Sequence, residues 1–292
     1  MGFILNPADK TFIELKSGKY PWWDNLKKRK KISIQVRKLN RIDVYYNGGA
    51  ILRELAFDGK KKEFFAKIHA KYVPLEKDDK YMTLALTNND VKITDSFKLM
   101  DFFNFENENL KKITGRVEKY HNSVSEKAIQ FKFATNDPCV IDAEFQFDKL
   151  RVDLVRLDEK IKKIVFIEIK TIDDQRLLSD PSKDPENIFH QLKKYNNFIS
   201  KNKKELLNYY EKVLQIKNDL GINTSPIKTL SGWQVEPRPL LAFGDCTQEW
   251  IDKNAADIDG KINSVAYGAY YFGDSKPSLD LVPKKQKNRH VF

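Results

Sequence analysis

One stretch of the 292-residue sequence restricts the fold more than any other: Arg151–Thr171, RVDLVRLDEKIKKIVFIEIKT. Its second half, Ile164–Thr171, is mostly apolar and β-branched, the pattern of a strand buried on both faces. Yet this run carries Glu168 and Lys170. Side chains two apart on a strand point to the same face, so this acid and this base are neighbours. Unpartnered charge is costly to bury, and a strand that keeps it needs a reason. The preceding run, Arg151–Asp158, is also strand-like, and the polar residues around Asp158–Lys160 form a turn between the two. A turn centred between Lys160 and Ile161 pairs the strands antiparallel, with Asp153 opposite Glu168. Cross-strand neighbours lie about 4.5–5.5 Å apart, near enough for both carboxylates to hold one divalent cation.

The chain before this hairpin reads as two parts. Residues 1–95 form a small, basic, mainly antiparallel β module, and residues 96–292 a second domain around the hairpin. In the first part, Thr11–Leu15 reads as an opening strand. Ile32–Val36, Ile42–Tyr46, Ala50–Phe57, Glu63–Tyr72 and Tyr81–Leu86 follow as strands, broken by Asn47-Gly48-Gly49 and Asp58-Gly59. The two tryptophans of Tyr20–Asp24, YPWWD, either pack in the core or stack on bases. The cluster Lys27–Lys31, with Lys28, Arg29 and Lys30, is either a solvated turn or a grip on phosphates.

From about Thr94 the apolar spacing changes to three and four, and a long helical stretch runs to about residue 134, carrying Glu118 and Glu126. Cys139–Phe147 reads as the first core strand, with Asp142 and Glu144 on one face. After the central hairpin comes a polar loop at 171–186, where Arg176 and Lys183 are candidates for phosphate contact. Asn187–Leu214 reads as one long helix. Gln191 and Tyr195 lie one turn apart on it, and Lys194 belongs to its basic polar side. Val235–Phe243 and Ala266–Phe272 read as further strands around a helix starting at Thr247, and Pro283–Phe292 as a basic tail.

Asp153, the triplet Glu168-Ile169-Lys170 at the end of the next strand, and the pair Gln191 and Tyr195 in HQLKKYNNF resemble the core of the PD-(D/E)XK nuclease superfamily. The helix pair matches the Gln-x-x-x-Tyr motif of its RecB-like branches, and the resemblance covers about residues 110–250. It implies an α/β (α+β) domain of restriction-endonuclease-like form, a mixed central sheet flanked by helices. It also implies Mg²⁺ or Mn²⁺ held by Asp153, Glu168 and the Ile169 carbonyl, with Glu144 or Glu126 as an additional acid and Glu118 as the alternative on the same helix. Lys170 then positions or deprotonates the water or neutralises the phosphate. Gln191 orients the site, and Tyr195 contacts substrate or the carboxylates. A hard cation with one or two carboxylates, waters and a phosphate suits such a set. It lowers the pKa of water and stabilises charge on the phosphate. An ammonium beside it, partly desolvated, has a lowered pKa.

The expected function is metal-dependent phosphodiester hydrolysis, on DNA ahead of RNA, in restriction, phage defence or DNA processing. The alternative is a non-catalytic nucleic-acid-binding or regulatory protein that keeps the fold. Charge suits either: 52 Lys and Arg against 41 Asp and Glu give a net +11, a field that attracts phosphate backbones. The four histidines do not cluster, which argues against a zinc or histidine nuclease. Two cysteines far apart and no signal-like or membrane-length apolar run point to a reduced, cytoplasmic protein. No G-x-x-x-x-G-K-[ST] motif is present, so ATP-driven work would fall to a partner protein. Cutting both strands with one such site per chain would call for a homodimer.

Overall fold

A computed structural model describes residues 2–72, 90–94, 108–120, 126–148, 150–177 and 179–272. The chain divides into two compact units, one of Gly2–Ser123 with Lys212–Asn223, the other of Val124–Glu211 with Thr224–Phe292. The division falls between Ser123 and Val124, where the sequence pattern had suggested residue 95, and a late helical segment joins the first unit.

The N-terminal unit is built on a five-stranded antiparallel sheet whose strands follow sequence order. These are β1 (Ile32–Arg37), β2 (Arg41–Tyr46), β3 (Gly49–Asp58), β4 (Glu63–His69) and β5 (Asp90–Thr94). Helices α1 (Lys10–Lys16) and α2 (Pro21–Lys27) precede it, and α3 (Glu108–Tyr120) follows. The expected strand Thr11–Leu15 is helix α1 instead. Asp9 caps it by accepting the Thr11 amide at 2.9 Å, and Thr11, Phe12 and Leu15 are buried at helical spacing. Trp22 and Trp23 lie on α2, fully buried and edge-to-face with each other, so they pack rather than offer their faces to bases. The expected strand Tyr81–Leu86, the start of the long helical stretch and the basic tail lie outside the described residues.

The C-terminal unit is mixed α+β. Its elements in order are α4 (Glu126–Asn136), β6 (Val140–Phe147), β7 (Leu150–Asp158), β8 (Lys163–Thr171), α5 (Ile188–Lys201), the first half of α6 (Lys203–Asp219, which from Lys212 on counts with the N-terminal unit), β9 (Gln234–Val235), β10 (Leu240–Gly244), α7 (Gln248–Ile262) and β11 (Gly268–Tyr271). The sheet order is β11-β10-β8-β7-β6, antiparallel from β6 to β8 and parallel from β8 to β11. The expected single strand Val235–Phe243 is split into β9 and β10, both on the same edge of β8. Pro237 and Pro239, which lack an amide donor, fall in the gap. The expected helix Asn187–Leu214 is broken at Asn202, which leaves helical geometry (φ −116°, ψ 21°) and caps α5.

Alternation along β10 sorts the core. Leu240 and Ala242 pack with Ile129 and Phe133 of α4 on one face. Leu241 and Phe243 pack with Ile188 and Leu192 of α5 and Ile251 of α7 on the other. On β8, Val165, Ile167 and Ile169 face the α4 side. Glu168 and Lys170 alternate with them and so turn toward the face that carries α5. The β7–β8 ladder runs from Asp158↔Lys163 to Leu154↔Ile167, the register that sets Asp153 level with Glu168. Among the described residues no helix is long and apolar enough to cross a membrane.

Candidate active site

Glu168 and Lys170 are each only 3% exposed, although both are charged and lie among apolar residues of β8. Lys170 Nζ donates to Glu168 Oε1 at 2.6 Å and to the Ile169 carbonyl at 2.9 Å. The same Oε1 receives Gln191 Nε2 at 2.6 Å from α5. Gln191 also donates to the Tyr195 hydroxyl at 2.6 Å, and that hydroxyl donates to the Arg151 carbonyl on β7. The one-turn spacing of Gln191 and Tyr195 on α5 thus ties the helix to both strands of the hairpin.

Asp153 is half-buried, and its Oδ2 accepts the Ile169 amide at 2.8 Å, just beyond the last ladder pair. Burial and the neighbouring Glu168 charge push its pKa well above the usual carboxylate range. Burial likewise raises Glu168, with Lys170 opposing. For Lys170, burial pulls the pKa down, but the charges of Glu168, Asp153 and Glu126 outweigh it and the net shift is upward. The lowered value expected beside a divalent cation is therefore not what these carboxylates alone produce. Burial and the charge on Glu168 raise Tyr195, which stays a neutral hydrogen-bond donor.

The other expected residues separate. Glu126, at the start of α4, brings its Oε1 to 3.6 Å from Lys170 Nζ and belongs to the site. Glu118 does not: in the N-terminal unit it accepts the Tyr46 hydroxyl at 2.6 Å. Glu144 lies level with Asp153 on β6, between the pairs Ala143↔Leu154 and Phe145↔Val152. Both its oxygens are engaged by Arg151, Oε1 at 2.9 Å and Oε2 at 2.8 Å. In this structure Glu144 is thus the ion-pair partner of Arg151, level with Asp153.

Arg176 lies in a short 3-10 turn after β8, and Asp174 grips it at 2.8 and 2.5 Å. Among its electrostatic neighbours are Glu126 and Glu168. Lys183 is exposed and pairs with Asp180 at 3.8 Å. Lys194 is exposed on α5. Lys28 and Lys30 are exposed and Arg29 half-buried, all in the N-terminal unit.

The oxygen atoms left over decide whether a metal fits. Glu168 Oε1 is fully engaged, but Glu168 Oε2 is buried with no hydrogen-bond partner. Leaving such an atom unsatisfied costs about 1–3 kcal/mol. Asp153 has Oδ1 uncommitted while Oδ2 holds the strand, and the Ile169 carbonyl retains a second lone pair. Among the described residues no three His, Cys, Asp or Glu side chains form a ready-made cage. Two carboxylates and a carbonyl, all hard oxygen donors, nevertheless match what Mg²⁺ or Mn²⁺ takes from protein when waters and phosphate complete the shell.

Two participants carried no signal in the sequence. Gln130, one turn after Glu126 on α4, donates to the Asp153 carbonyl at 2.6 Å. Asp174 fixes Arg176 through a turn that only the folded loop creates. Comparison of the chain with family models, with curated proteins and with solved structures gave no match.

Proposed function

We propose that the chain is a metal-dependent nuclease that hydrolyses phosphodiester bonds. The observation that carries this reading is the division of labour within Glu168: one oxygen is held by Lys170 and Gln191, while the other is buried and bonded to nothing. The large majority of buried side-chain polar atoms find a partner, so an oxygen left without one beside a second carboxylate marks a place for a ligand. Glu168, Asp153 and the Ile169 carbonyl would hold Mg²⁺ or Mn²⁺, which when bound supplies Lewis acidity to the phosphate and an acidified water.

The remaining roles belong to the protein. Gln191 and Tyr195 keep Glu168 in one rotamer against β7. Lys170, a firm cation, neutralises charge that develops on the phosphate oxygens or orients the attacking water. Arg176, with one edge locked by Asp174, presents the rest of its guanidinium to an adjacent phosphate. DNA is favoured over RNA, and a role in restriction, phage defence or DNA processing rests on the sequence resemblance alone, a cytoplasmic setting on the two distant cysteines. Cutting both strands would need a homodimer, and ATP-driven work a partner.

A second reading is favoured by the Lys170–Glu168 pair itself. A buried, hydrogen-bonded ion pair can serve the fold without turnover, leaving a non-catalytic nucleic-acid-binding protein.

Incubation of supercoiled plasmid, single-stranded DNA and RNA with wild type and Lys170→Ala, in Mg²⁺, Mn²⁺ or EDTA, separates the two readings. Cutting that needs metal and Lys170 is the expected result. Salt-sensitive binding without cutting would favour the second reading, and cutting that survives Lys170→Ala would place the chemistry elsewhere.

A further inference from the structure

Gln130 has no place in the roles assigned above, yet it is a buried polar side chain, 5% exposed, aimed at the catalytic hairpin. Its Nε2 donates to the Asp153 carbonyl at 2.6 Å. The strand pattern explains why that carbonyl takes a side chain. Ala143↔Leu154 and Phe145↔Val152 pair across β6 and β7, but between them Glu144 turns to φ +59° and the ladder skips Asp153. A non-glycine residue in the left-handed region interrupts a strand. On the other side of β7 the ladder with β8 stops at Leu154↔Ile167, and the Asp153 carboxylate takes the Ile169 amide instead. Asp153 is thus fixed from both sides by bonds outside the ladder. Gln130 supplies one of them, and Glu126, four residues earlier on α4, reaches Lys170.

We infer that Gln130 is a positioning residue for the metal site: by holding the Asp153 backbone it sets the Asp153 carboxylate level with Glu168, and so tunes the affinity for a divalent cation. The inference rests on the metal-dependent reading. Partners that act through a ligand commonly change metal affinity about 10–100-fold when removed.

The test is calorimetric titration of the full chain with Mn²⁺ alone. Gln130→Met keeps the length of the side chain and removes the donor; Gln130→Leu, which also lacks a donor, serves if the first variant does not fold. Ile129→Val, beside Gln130 in the core, is the control for general loosening. The expected result is Mn²⁺ affinity about 10–100-fold weaker in the Gln130 variants, with wild-type affinity in Ile129→Val despite a lower unfolding midpoint. Wild-type affinity in the Gln130 variants overturns the inference and leaves the metal reading standing. Equal weakening in Ile129→Val also overturns it, because the effect is then loss of rigidity. A wild-type chain that takes up no Mn²⁺ overturns the inference and the metal reading together.

Discussion

The two units use the same device to opposite ends. In each, an aspartate on a strand with neighbours on both sides fills a gap in the ladder by accepting a backbone amide from the next strand. Asp43 on β2 takes the Glu54 amide at 2.8 Å, and Asp153 on β7 takes the Ile169 amide at 2.8 Å. In each, a glutamate in left-handed geometry lies close by, Glu54 at φ +54° and Glu144 at φ +59°. The difference is the second oxygen. Asp43 Oδ2 is taken by Arg37 at 3.0 Å and by the Tyr45 hydroxyl at 3.3 Å, so the group is satisfied. Asp153 Oδ1 has no such partner, and beside it Glu168 Oε2 is buried and unbonded. A closed polar network fixes a sheet. One left open in a buried place holds free energy in reserve for a ligand.

The comparison is sharpened most by Lys170→Met. The ammonium occupies Glu168 Oε1 and the Ile169 carbonyl, the neighbours of the proposed metal position. Cleavage should fall about 10²–10⁴-fold, the usual contribution of a proton-handling or charge-neutralising group. Mn²⁺ affinity should hold or rise, since a competing cation has gone. Single-turnover cleavage and Mn²⁺ titration on the same preparation check both halves, and joint loss of cleavage and binding would give Lys170 a structural role instead. The smaller effect lies in the closed network. Asp43→Asn should lower stability by about 1–3 kcal/mol, because Arg37 loses its charged partner. The cleavage rate should stay at the wild-type value. Denaturant unfolding and the plasmid assay measure the two, and a fall in rate without a fall in stability would break the contrast between the units.

What the sequence discloses follows the range over which each contact acts. The β7–β8 register is legible because a dense apolar run and one polar turn leave little room for slippage, and a shift by one residue would turn Glu168 and Lys170 into the apolar face that Val165, Ile167 and Ile169 occupy. Gln191 and Tyr195 are legible because helical spacing alone sets them on one face. Gln130 is not: EKAIQFKFA reads as an ordinary helix, and the Gln130 bond reaches 23 residues along the chain to a backbone atom. The Glu144–Arg151 pair is not legible, because nothing in CVIDAEFQF marks Glu144 as a left-handed residue. Thr11–Leu15 misleads because its β-branched and aromatic residues favour a strand, while the Asp9 cap and the buried spacing decide for a helix. Local pattern fixes elements, and gaps in the ladder fix the site.

The most direct measurement is the thermal unfolding of wild type and Glu168→Gln with and without millimolar Mn²⁺ or Mg²⁺. A cation that binds only the folded chain raises its midpoint, by about 2.7 kcal/mol of stabilisation at a hundredfold excess over Kd. The account expects a clear metal-dependent rise in wild type and none in Glu168→Gln, whose amide removes the charge the cation needs. No rise in wild type, or an equal rise in both, would contradict the assignment of Glu168 Oε2 to a metal.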